Sequence, residues 1–467
     1  MSKRSESRRT KKSTAFRIGR VRVYLRGRVW YLCYHEGGRR HQPRVGPDRD
    51  TARQMAAEIN AQLEIGAPSA LRFQPISAAE LRQRWLDYHE HVRRSSVATV
   101  GRYRRATEHL LRFLAEVRPL RRVSDFRACH AEEFVRYLRA LRVPIGGPPE
   151  RPRRPLRDAG LRFILLVCSS LFNYAQKNRH LSPYVENPFR TIEVTRIPIE
   201  DARPIEVFTS EQARRFLEAC DDWQFPLYLT LLMTGLRPGE LTHLLLPEDL
   251  DLGEGWLHVR NKPKLGWQVK TRNERSIPLV PALLKVLRAT IGGRLSGPVL
   301  RRRKYTDGDG SMLASLSQSH LWREIADRCR KREEDLDRSL SRLEQERVAR
   351  TVWRDMGIIH MESIYLDFGR ITKSIGSGHV TAPKTLRHTF ATILQDANVE
   401  PLIRNELMGH VPAKSRSPGG GLGMTAVYTH TRPETKRAQL EAAFADHPAV
   451  QVAETWVVKH RHGATAS

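Results

Sequence analysis

Apolar residues alternate with polar ones between Phe16 and Tyr34, on either side of a turn at Arg26-Gly27-Arg28. A period of two around a glycine-containing turn predicts a β-hairpin. We expect a third short strand near residues 41–45 and a helix over residues 50–65. Residues 1–15 are polar and basic, which predicts a disordered arm. The chain should therefore begin with this arm and a small β-sheet-plus-helix domain over residues 16–70.

From Ser77 to Asn187 the apolar residues recur every three or four positions, which predicts amphipathic helices. Ser77 precedes Glu80 with the spacing of a capping box, so the first helix should begin there. A Pro-, Gly- and Arg-rich stretch over residues 144–155 predicts an exposed loop, and Asn187-Pro188 should end the unit. The result is a helical domain over residues 76–189, followed by a linker over 190–206. Three further helices are expected, over Val97–Leu114, Ala131–Leu141 and Leu161–Lys177.

The remaining sequence mixes helical and strand patterns. Phe225 to Met233 is almost entirely apolar and predicts a buried helix, with Gly235 as its C-terminal cap and Pro238 as the first residue of the next helix. Lys270 should lie at the tip of a hairpin. Residues 447–467 are expected to be a tail. Strands are predicted over Trp256–Arg260, Trp267–Lys270 and Arg275–Leu279, and helices from Thr209, over Thr385–Ala397, from Pro401 to Gly409 and over Glu434–Phe444. The fold class is multidomain, mainly α with small β-sheets.

Charge narrows the possible partners. The 467 residues include 80 Lys and Arg against 51 Asp and Glu, a net charge of +29 that attracts a polyanion such as nucleic acid. No apolar run approaches the roughly 18 residues of a membrane span, and the basic N-terminus lacks the apolar segment of a secretory signal. We expect a cytoplasmic protein without a membrane partner. The five scattered cysteines support neither a disulfide framework nor a metal site.

Two basic regions are candidate DNA contacts. Residues 1–44 hold fourteen Lys or Arg and two Glu, with aromatic residues interleaved, so Arg26 and Arg28 are candidates in a small β-sheet DNA reader. In the helical domain, Arg102 and Arg105 lie away from the apolar stripe. Two interpretations of that domain stay open: a structural bundle with charged faces, or half of a clamp that contacts phosphates.

Several polar residues near the predicted helix ends are suited to binding an anion. Arg237 is held in the corner between two helices, where it can pair with Glu240 or present its guanidinium to a phosphate. Lys384, Arg387 and His388 crowd the first turn of a helix, whose free N–H groups favour anions. Each of these residues also has an ordinary structural interpretation, such as an ion pair or a local hydrogen bond. The ordered set therefore carries more weight than any member.

That set reads Thr234-Gly235-Leu236-Arg237-Pro238-Gly239-Glu240, then Lys270, then Leu386-Arg387-His388-Thr389-Phe390-Ala391-Thr392, then Met408-Gly409-His410, then Tyr428-Thr429-His430. It resembles the tyrosine recombinase (phage integrase) family over nearly the whole chain. The resemblance implies an arm-type DNA-binding domain over residues 16–70, a core-binding domain over 76–189 and an α+β catalytic domain over 207–446. It also implies a site-specific recombinase that integrates or excises a mobile element. The implied partners are double-stranded DNA, three further protomers in a homotetramer and accessory DNA-bending or directionality proteins, with no cofactor or metal.

The family breaks and rejoins DNA through a 3′-phosphotyrosine, and this chemistry assigns roles by resemblance. Tyr428 would be the nucleophile. Arg237 and Arg387 would stabilise charge on the non-bridging oxygens, and Lys270 would protonate the leaving 5′ oxygen. His410 would hydrogen-bond the phosphate. Glu240 would hold the arginines or the histidine in place without contacting the DNA, and His388 is the other candidate for such a supporting position. The C-terminal helix over 434–444 would pack on a neighbouring protomer.

The sequence departs from the family pattern in three places. Lys384 stands where the family usually has histidine, and an amine with a pKa of about 10.4 is a poor base at neutral pH. Seventeen residues separate His410 from Tyr428, including a Gly-rich stretch over 415–423, which leaves presentation in trans or ordering on DNA open. Residues 304–380 form a long insertion with one exposed helix expected over Arg328–Arg350. Two alternatives stay open beside the recombinase: a catalytically impaired DNA-binding module, and a type IB topoisomerase.

Overall fold

Two units make up the chain, residues 1–203 and residues 204–467. The computed structural model describes residues 15–36, 38–66, 76–145, 151–181, 186–202, 204–305, 313, 316–410 and 431–463. Helices predominate, and the strands form small antiparallel sheets. Among the described residues, no helix is long and apolar enough to cross a membrane.

The first unit opens with a five-stranded antiparallel sheet covered by helix α1 (Arg49–Glu64). Val21, Val23 and the alternate residues of the next strand face α1 and form one core, as the period of two predicted. One strand was not predicted, and the expected third strand is two short strands on either side of Pro43, which has no N–H to donate to a ladder. The strands are β1 (Ala15–Ile18), β2 (Val21–Arg26), β3 (Val29–Glu36), β4 (Arg39–His41) and β5 (Arg44–Gly46).

Four helices form the second core of this unit. Ser77 caps the first of them by accepting a hydrogen bond from the backbone N–H of Glu80 at 3.2 Å, so the predicted start is confirmed. Val194 is buried in the same core although it lies in the segment predicted as a linker. The expected exposed loop instead begins and ends in paired strands, β6 (Arg142–Pro144) and β7 (Arg153–Pro155). The helices are α2 (Ala78–Asp87), α3 (Val97–Glu116), α4 (Ala128–Ala140) and α5 (Asp158–Lys177).

The second unit is built around a buried helix, α7 (Gln224–Thr234), as its apolar run predicted. Gly235 ends α7 with φ +62°, and Pro238 begins the short α8 (Pro238–Leu241), so both predicted roles are confirmed. The other helices of this unit are α6 (Ser210–Glu218), α9 (Pro281–Ile291), α10 (Gln318–Leu336), α11 (Arg342–Asp355), α12 (Met361–Ser374), α13 (Lys384–Asp396), α14 (Pro401–Met408), α15 (Pro433–Phe444) and α16 (Pro448–Gly463).

A three-stranded antiparallel sheet lies beside these helices, in the order β11 (Arg275–Pro278), β10 (Trp256–Val259), β9 (Leu250–Asp251). The strand predicted over Trp267–Lys270 is wrong, because Trp267 makes only an isolated bridge with Lys262 and β11 pairs directly with β10. A two-stranded sheet joins β8 (Leu245–Leu246) to β12 (Gly297–Pro298).

The single exposed helix expected over Arg328–Arg350 is also wrong. Asp337 has a left-handed backbone that ends α10, and Ser341 and Glu344 form a capping box that begins α11. The two helices pack on each other around Leu321, Ala349 and Trp353 and share a small core with residues of the main fold. Helix α12, which also falls within the predicted insertion, belongs to the main core through Ile364, Phe368 and Ile371.

The C-terminal helices pack on their own chain. Leu440 and Phe444 of α15 are buried in the main core, where Phe444 stacks on Phe390 at 6.1 Å between ring centroids. The expected packing of this helix on a neighbouring protomer stays a prediction. Ala449, Ala453 and Val457 of α16 lie in the same core, so most of the segment predicted as a tail is a structural helix.

Candidate functional site

A buried carboxylate organises the candidate site. Glu240 is 3% exposed and lies on α8, one turn after Arg237. Its Oε1 accepts a hydrogen bond from Arg237 Nη1 at 2.7 Å, and its Oε2 accepts one from the Arg237 backbone N–H at 3.0 Å. The Arg237 side chain is 25% exposed, so part of it reaches solvent. The ion pair expected at this corner is present, and it leaves Arg237 free to contact a ligand.

Arg275 is a second partner of Glu240 that sequence reasoning missed. Its Nη2 donates to Glu240 Oε2 at 2.6 Å, and its Nε donates to the Leu407 carbonyl at 2.9 Å. The side chain is 4% exposed, so Arg275 ties α8 to the end of α14 from within. The sequence did contain a sign of this contact. Arg275 and the buried Ile277 share one face of β11, and an arginine on a buried face requires an anionic partner.

The two arginines decide the protonation of Glu240. Burial alone would raise the pKa of this carboxyl. The hydrogen bonds and charge of Arg275, together with the contacts from Arg237, outweigh burial and lower the pKa. Glu240 is therefore an anion at neutral pH and holds both guanidinium groups in place.

Arg387 lies on α13 and joins segments that are distant in the sequence. Its Nη1 donates to the Gly235 carbonyl and its Nη2 to the Met408 carbonyl, and its side chain is buried. Burial, followed by the charge of Arg237, lowers the Arg387 pKa to about 10. The group remains a cation at neutral pH, fixed between the ends of α7 and α14.

His410 follows Gly409 at the end of α14, where its backbone N–H donates to the Asn405 carbonyl at 2.9 Å. Arg387 Nη2 donates to His410 Nε2 at 3.4 Å, a contact that requires the tautomer with an unprotonated Nε2. Burial, then the charges of Arg387, Arg237 and Arg275, lower the pKa of His410. The imidazole is therefore neutral at neutral pH.

The lysines and His388 lie around this cluster. Lys384 is exposed at the first residue of α13, three positions before Arg387. His388 is half-buried, and burial, then Lys384 and Arg387, lower its pKa. Lys270 is exposed in the turn between β10 and β11. Its neighbour Thr271 donates to the Gly409 carbonyl at 3.5 Å, which brings the turn to the segment that carries His410.

The remaining predicted residues are Tyr428 and four arginines of the first unit. Tyr428 and the Gly-rich stretch over 415–423 fall outside the described residues. Arg26 and Arg28 are exposed at the β2–β3 turn, and Arg102 and Arg105 are exposed on α3, all within the first unit. Within the described part of the chain, no group of three or more His, Cys, Asp or Glu side chains is placed to hold a metal ion.

Together these contacts form a compact cation cluster. Arg237, Arg275 and Arg387 contribute three positive charges against the single negative charge of Glu240. An excess of positive charge on fixed donors favours an anion with several oxygens, such as a phosphate.

Solved structures share this architecture. No protein-family model matches the sequence, and a search of curated proteins returned no match. The integrase of transposon Tn1549, solved in complex with transposon right end DNA, is 17% identical and has a TM-score of 0.50, with 78% of this chain and 98% of that chain covered. The chain has the tyrosine recombinase fold.

Two other tyrosine recombinases are similar at lower TM-scores. A lambda integrase dimer bound to a COC' core site is 16% identical, with a TM-score of 0.42 and 85% of this chain and 92% of that chain covered. The integrase from mycobacterium phage Brujita is 17% identical, with a TM-score of 0.32 and 80% and 97% covered. In this recombinase fold, the motif residues Arg237, Glu240, Arg387 and His410 form one connected network around Arg275.

Proposed function

We propose that this tyrosine recombinase fold serves a site-specific DNA recombinase, which cleaves and rejoins strands through a 3′-phosphotyrosine and integrates or excises a mobile element. One observation carries the proposal: Arg237 and Arg387 are held by Glu240 and backbone carbonyls beside a neutral His410. Fixed cations suit a phosphodiester, whose non-bridging oxygens gain charge in the transition state.

The proposed cleavage step is a transesterification. The Tyr428 hydroxyl oxygen attacks the phosphorus, a tyrosine–phosphate bond forms, and the bond from phosphorus to the 5′ oxygen breaks. Lys270 gives a proton to the leaving 5′ oxygen, the phenolic proton passes to water, and His410 hydrogen-bonds the phosphate. Rejoining reverses the step with a 5′-hydroxyl from the exchanged strand. The tyrosine ester conserves the bond energy, so resealing needs no external energy source.

Binding to double-stranded DNA supplies the rest of the proposal. The net charge of +29 matches a polyanionic partner, and the exposed Arg26, Arg28, Arg102 and Arg105 are the proposed phosphate contacts of the first unit. Strand exchange joins two duplexes and therefore needs four cleavages, so we propose a homotetramer on DNA.

A trapping assay tests the chemistry. The probe is a pool of nicked duplexes with randomised sequence, in which the short fragment released by cleavage diffuses away and leaves the covalent adduct. We expect a denaturant-resistant protein–DNA adduct with the wild-type chain and none with Tyr428→Phe. Sequencing the trapped DNA would then give the preferred site.

The outcomes separate the competing functions. Tight binding of duplexes without any adduct would leave a DNA-binding module and refute the enzyme. An adduct with exchange between two labelled duplexes supports the recombinase, whereas relaxation of supercoiled circles without exchange would indicate a type IB topoisomerase.

A further inference from the structure

The loop that carries Lys270 rests on the inserted helices. We define the Lys270 loop as residues 260–274, between β10 and β11. We propose that helices α10 and α11 hold this loop in its working position, so that the insertion positions the general acid of strand cleavage. The inference rests on the proposed function for the role of Lys270, and on the contacts below for the support of the loop.

Trp353 of α11 makes the central contact. Its side chain is buried, and its Nε1 donates to the Leu265 carbonyl at 2.7 Å. Leu265 itself is buried in the core of the insertion. Gly266 follows with φ +68°, and a Cβ at that position would lie 2.7 Å from the Ala349 Cβ. Helix α11 therefore lies directly against the backbone of the loop.

The main fold holds the same segment from its other side. The His243 ring stacks on Trp267 at 4.9 Å between centroids, and Trp353 meets His243 edge-on at 4.6 Å. Lys262 and Asp249 form a buried ion pair at 2.7 Å, and Lys262 exchanges backbone hydrogen bonds with Trp267. Residues 262–267 are thus clamped between α11 and the fold.

Hydrogen bonds from Asn261 connect the start of the loop to the residues on either side of Lys270. Asn261 Oδ1 accepts from the Val269 backbone N–H at 2.9 Å, and Asn261 Nδ2 donates to the Arg272 carbonyl at 3.1 Å. Val269 is buried in the main core, so the residue before Lys270 is fixed. A lysine ammonium sits on a flexible four-carbon stem, and its reach is set by where the backbone is placed.

The charge of the insertion agrees with a packing role. Residues 318–355 contain ten Lys or Arg and nine Asp or Glu, in a chain whose net charge is +29. A segment that bound the DNA backbone would share the basic excess of the chain. The near-neutral helices are instead suited to supporting a neighbouring element.

The test compares two DNA substrates with the variant Trp353→Phe, which removes the Nε1–H donor and keeps a ring. One nicked duplex has the ordinary 5′ oxygen at the cleaved bond, and the other has sulfur there. A thiolate leaves without protonation because thiols are far more acidic than alcohols. We expect cleavage of the oxygen substrate to fall about tenfold, a partial loss of the roughly 100- to 10,000-fold that general acid catalysis contributes. Cleavage of the sulfur substrate should stay within about twofold.

Three further variants serve as controls for this result. Lys270→Ala should give the same selective loss, and so should Gly266→Ala, which pushes the Ala349 contact apart. Leu343→Ala, at an exposed position of α11, should leave both rates unchanged. An equal loss on both substrates, or no loss on either, would overturn the inference.

Hydrogen–deuterium exchange gives a readout that does not depend on catalysis. Trp353→Phe should speed exchange at the amides of residues 268–274, and Leu343→Ala should not. If the wild-type chain forms no adduct on either substrate, the proposed function fails. Unchanged exchange in Trp353→Phe would then refute the support of the loop separately.

Discussion

Replacing Arg275 with methionine should destabilise the second unit strongly, although no sequence motif marks this residue. Methionine roughly replaces the aliphatic stem and removes the guanidinium. The change leaves Glu240 buried with one arginine partner in place of two, and it leaves the Leu407 carbonyl without its Arg275 donor.

The magnitude follows from the remaining contacts. Removing one partner of a buried ion pair costs about 3–5 kcal/mol, because the other charge stays buried. Glu240 keeps the 2.7 Å contact to Arg237 Nη1 and the 3.0 Å contact to the Arg237 backbone N–H. We therefore expect the lower end of the range, about 3 kcal/mol in the free energy of unfolding.

Urea titration combined with hydrogen exchange provides the assay. Peptides from α7 and α13 report on the second unit alone, which is necessary because a chain with more than one core need not unfold in one step. Arg214→Met is the matched control, since Arg214 pairs with Glu211 and Glu218 on the surface. Its effect on the free energy of unfolding should be much smaller than that of Arg275→Met, because solvent screens exposed ion pairs.

A double variant tests the stated cause. Arg275→Met combined with Glu240→Gln should cost less than the sum of the two single changes, because the buried charge is then gone. A loss below about 1 kcal/mol for Arg275→Met alone would refute the claim that Glu240 depends on Arg275.

Three further predictions concern neighbouring positions. Gly235→Ala should lower the free energy of unfolding by at least about 2 kcal/mol in urea, because φ is +62° and the new Cβ would lie 2.3 Å from Phe390, whereas Gly239→Ala meets nothing within 4 Å and should be nearly neutral. Burial lowers the His243 pKa to about 4. As pH falls below about 6.5, His243 becomes protonated in the unfolded chain but stays neutral in the folded chain, so the free energy of unfolding should drop by up to about 3 kcal/mol near pH 4. The matching His243→Phe variant should show a shallower pH dependence in the same titration. Lys384→His should preserve or improve cleavage in the trapping assay if the position acts through phosphate contact and proton transfer, and a loss greater than that of Lys384→Ala would show that lysine is specifically required.

Local signals were sufficient for most individual elements. The alternation in β2 and β3, the cap at Ser77 and the glycine stop at Gly235 each depend on a few neighbouring residues, and each was predicted correctly. The two inserted helices were not, because the turn at Asp337 has no glycine or proline to mark it. A left-handed aspartate is uncommon. The local sign of a new helix was the capping-box spacing of Ser341 and Glu344.

The site was harder to predict because its contacts are non-local. The motif residues pointed to phosphate chemistry, yet Arg275 takes part only because β11, α8 and the end of α14 meet in space. The strand predicted over Trp267–Lys270 was wrong, since the loop is shaped by Trp353, which lies 83 residues beyond Lys270. Periodicity within one segment carries no information on such partners.

The packing of α16 has a consequence for synthesis of the protein. Its residues up to Val457 cover α6 and α9, and α6 ends at Glu218. At roughly 5–20 residues per second, a ribosome needs on the order of 10–50 s to make the intervening chain. During that time the apolar faces of α6 and α9 lack their final partner on the nascent polypeptide. Chaperones should therefore bind the nascent chain mainly at these two apolar faces. A truncated protein that ends before residue 448 would lack α16 and would leave both faces exposed.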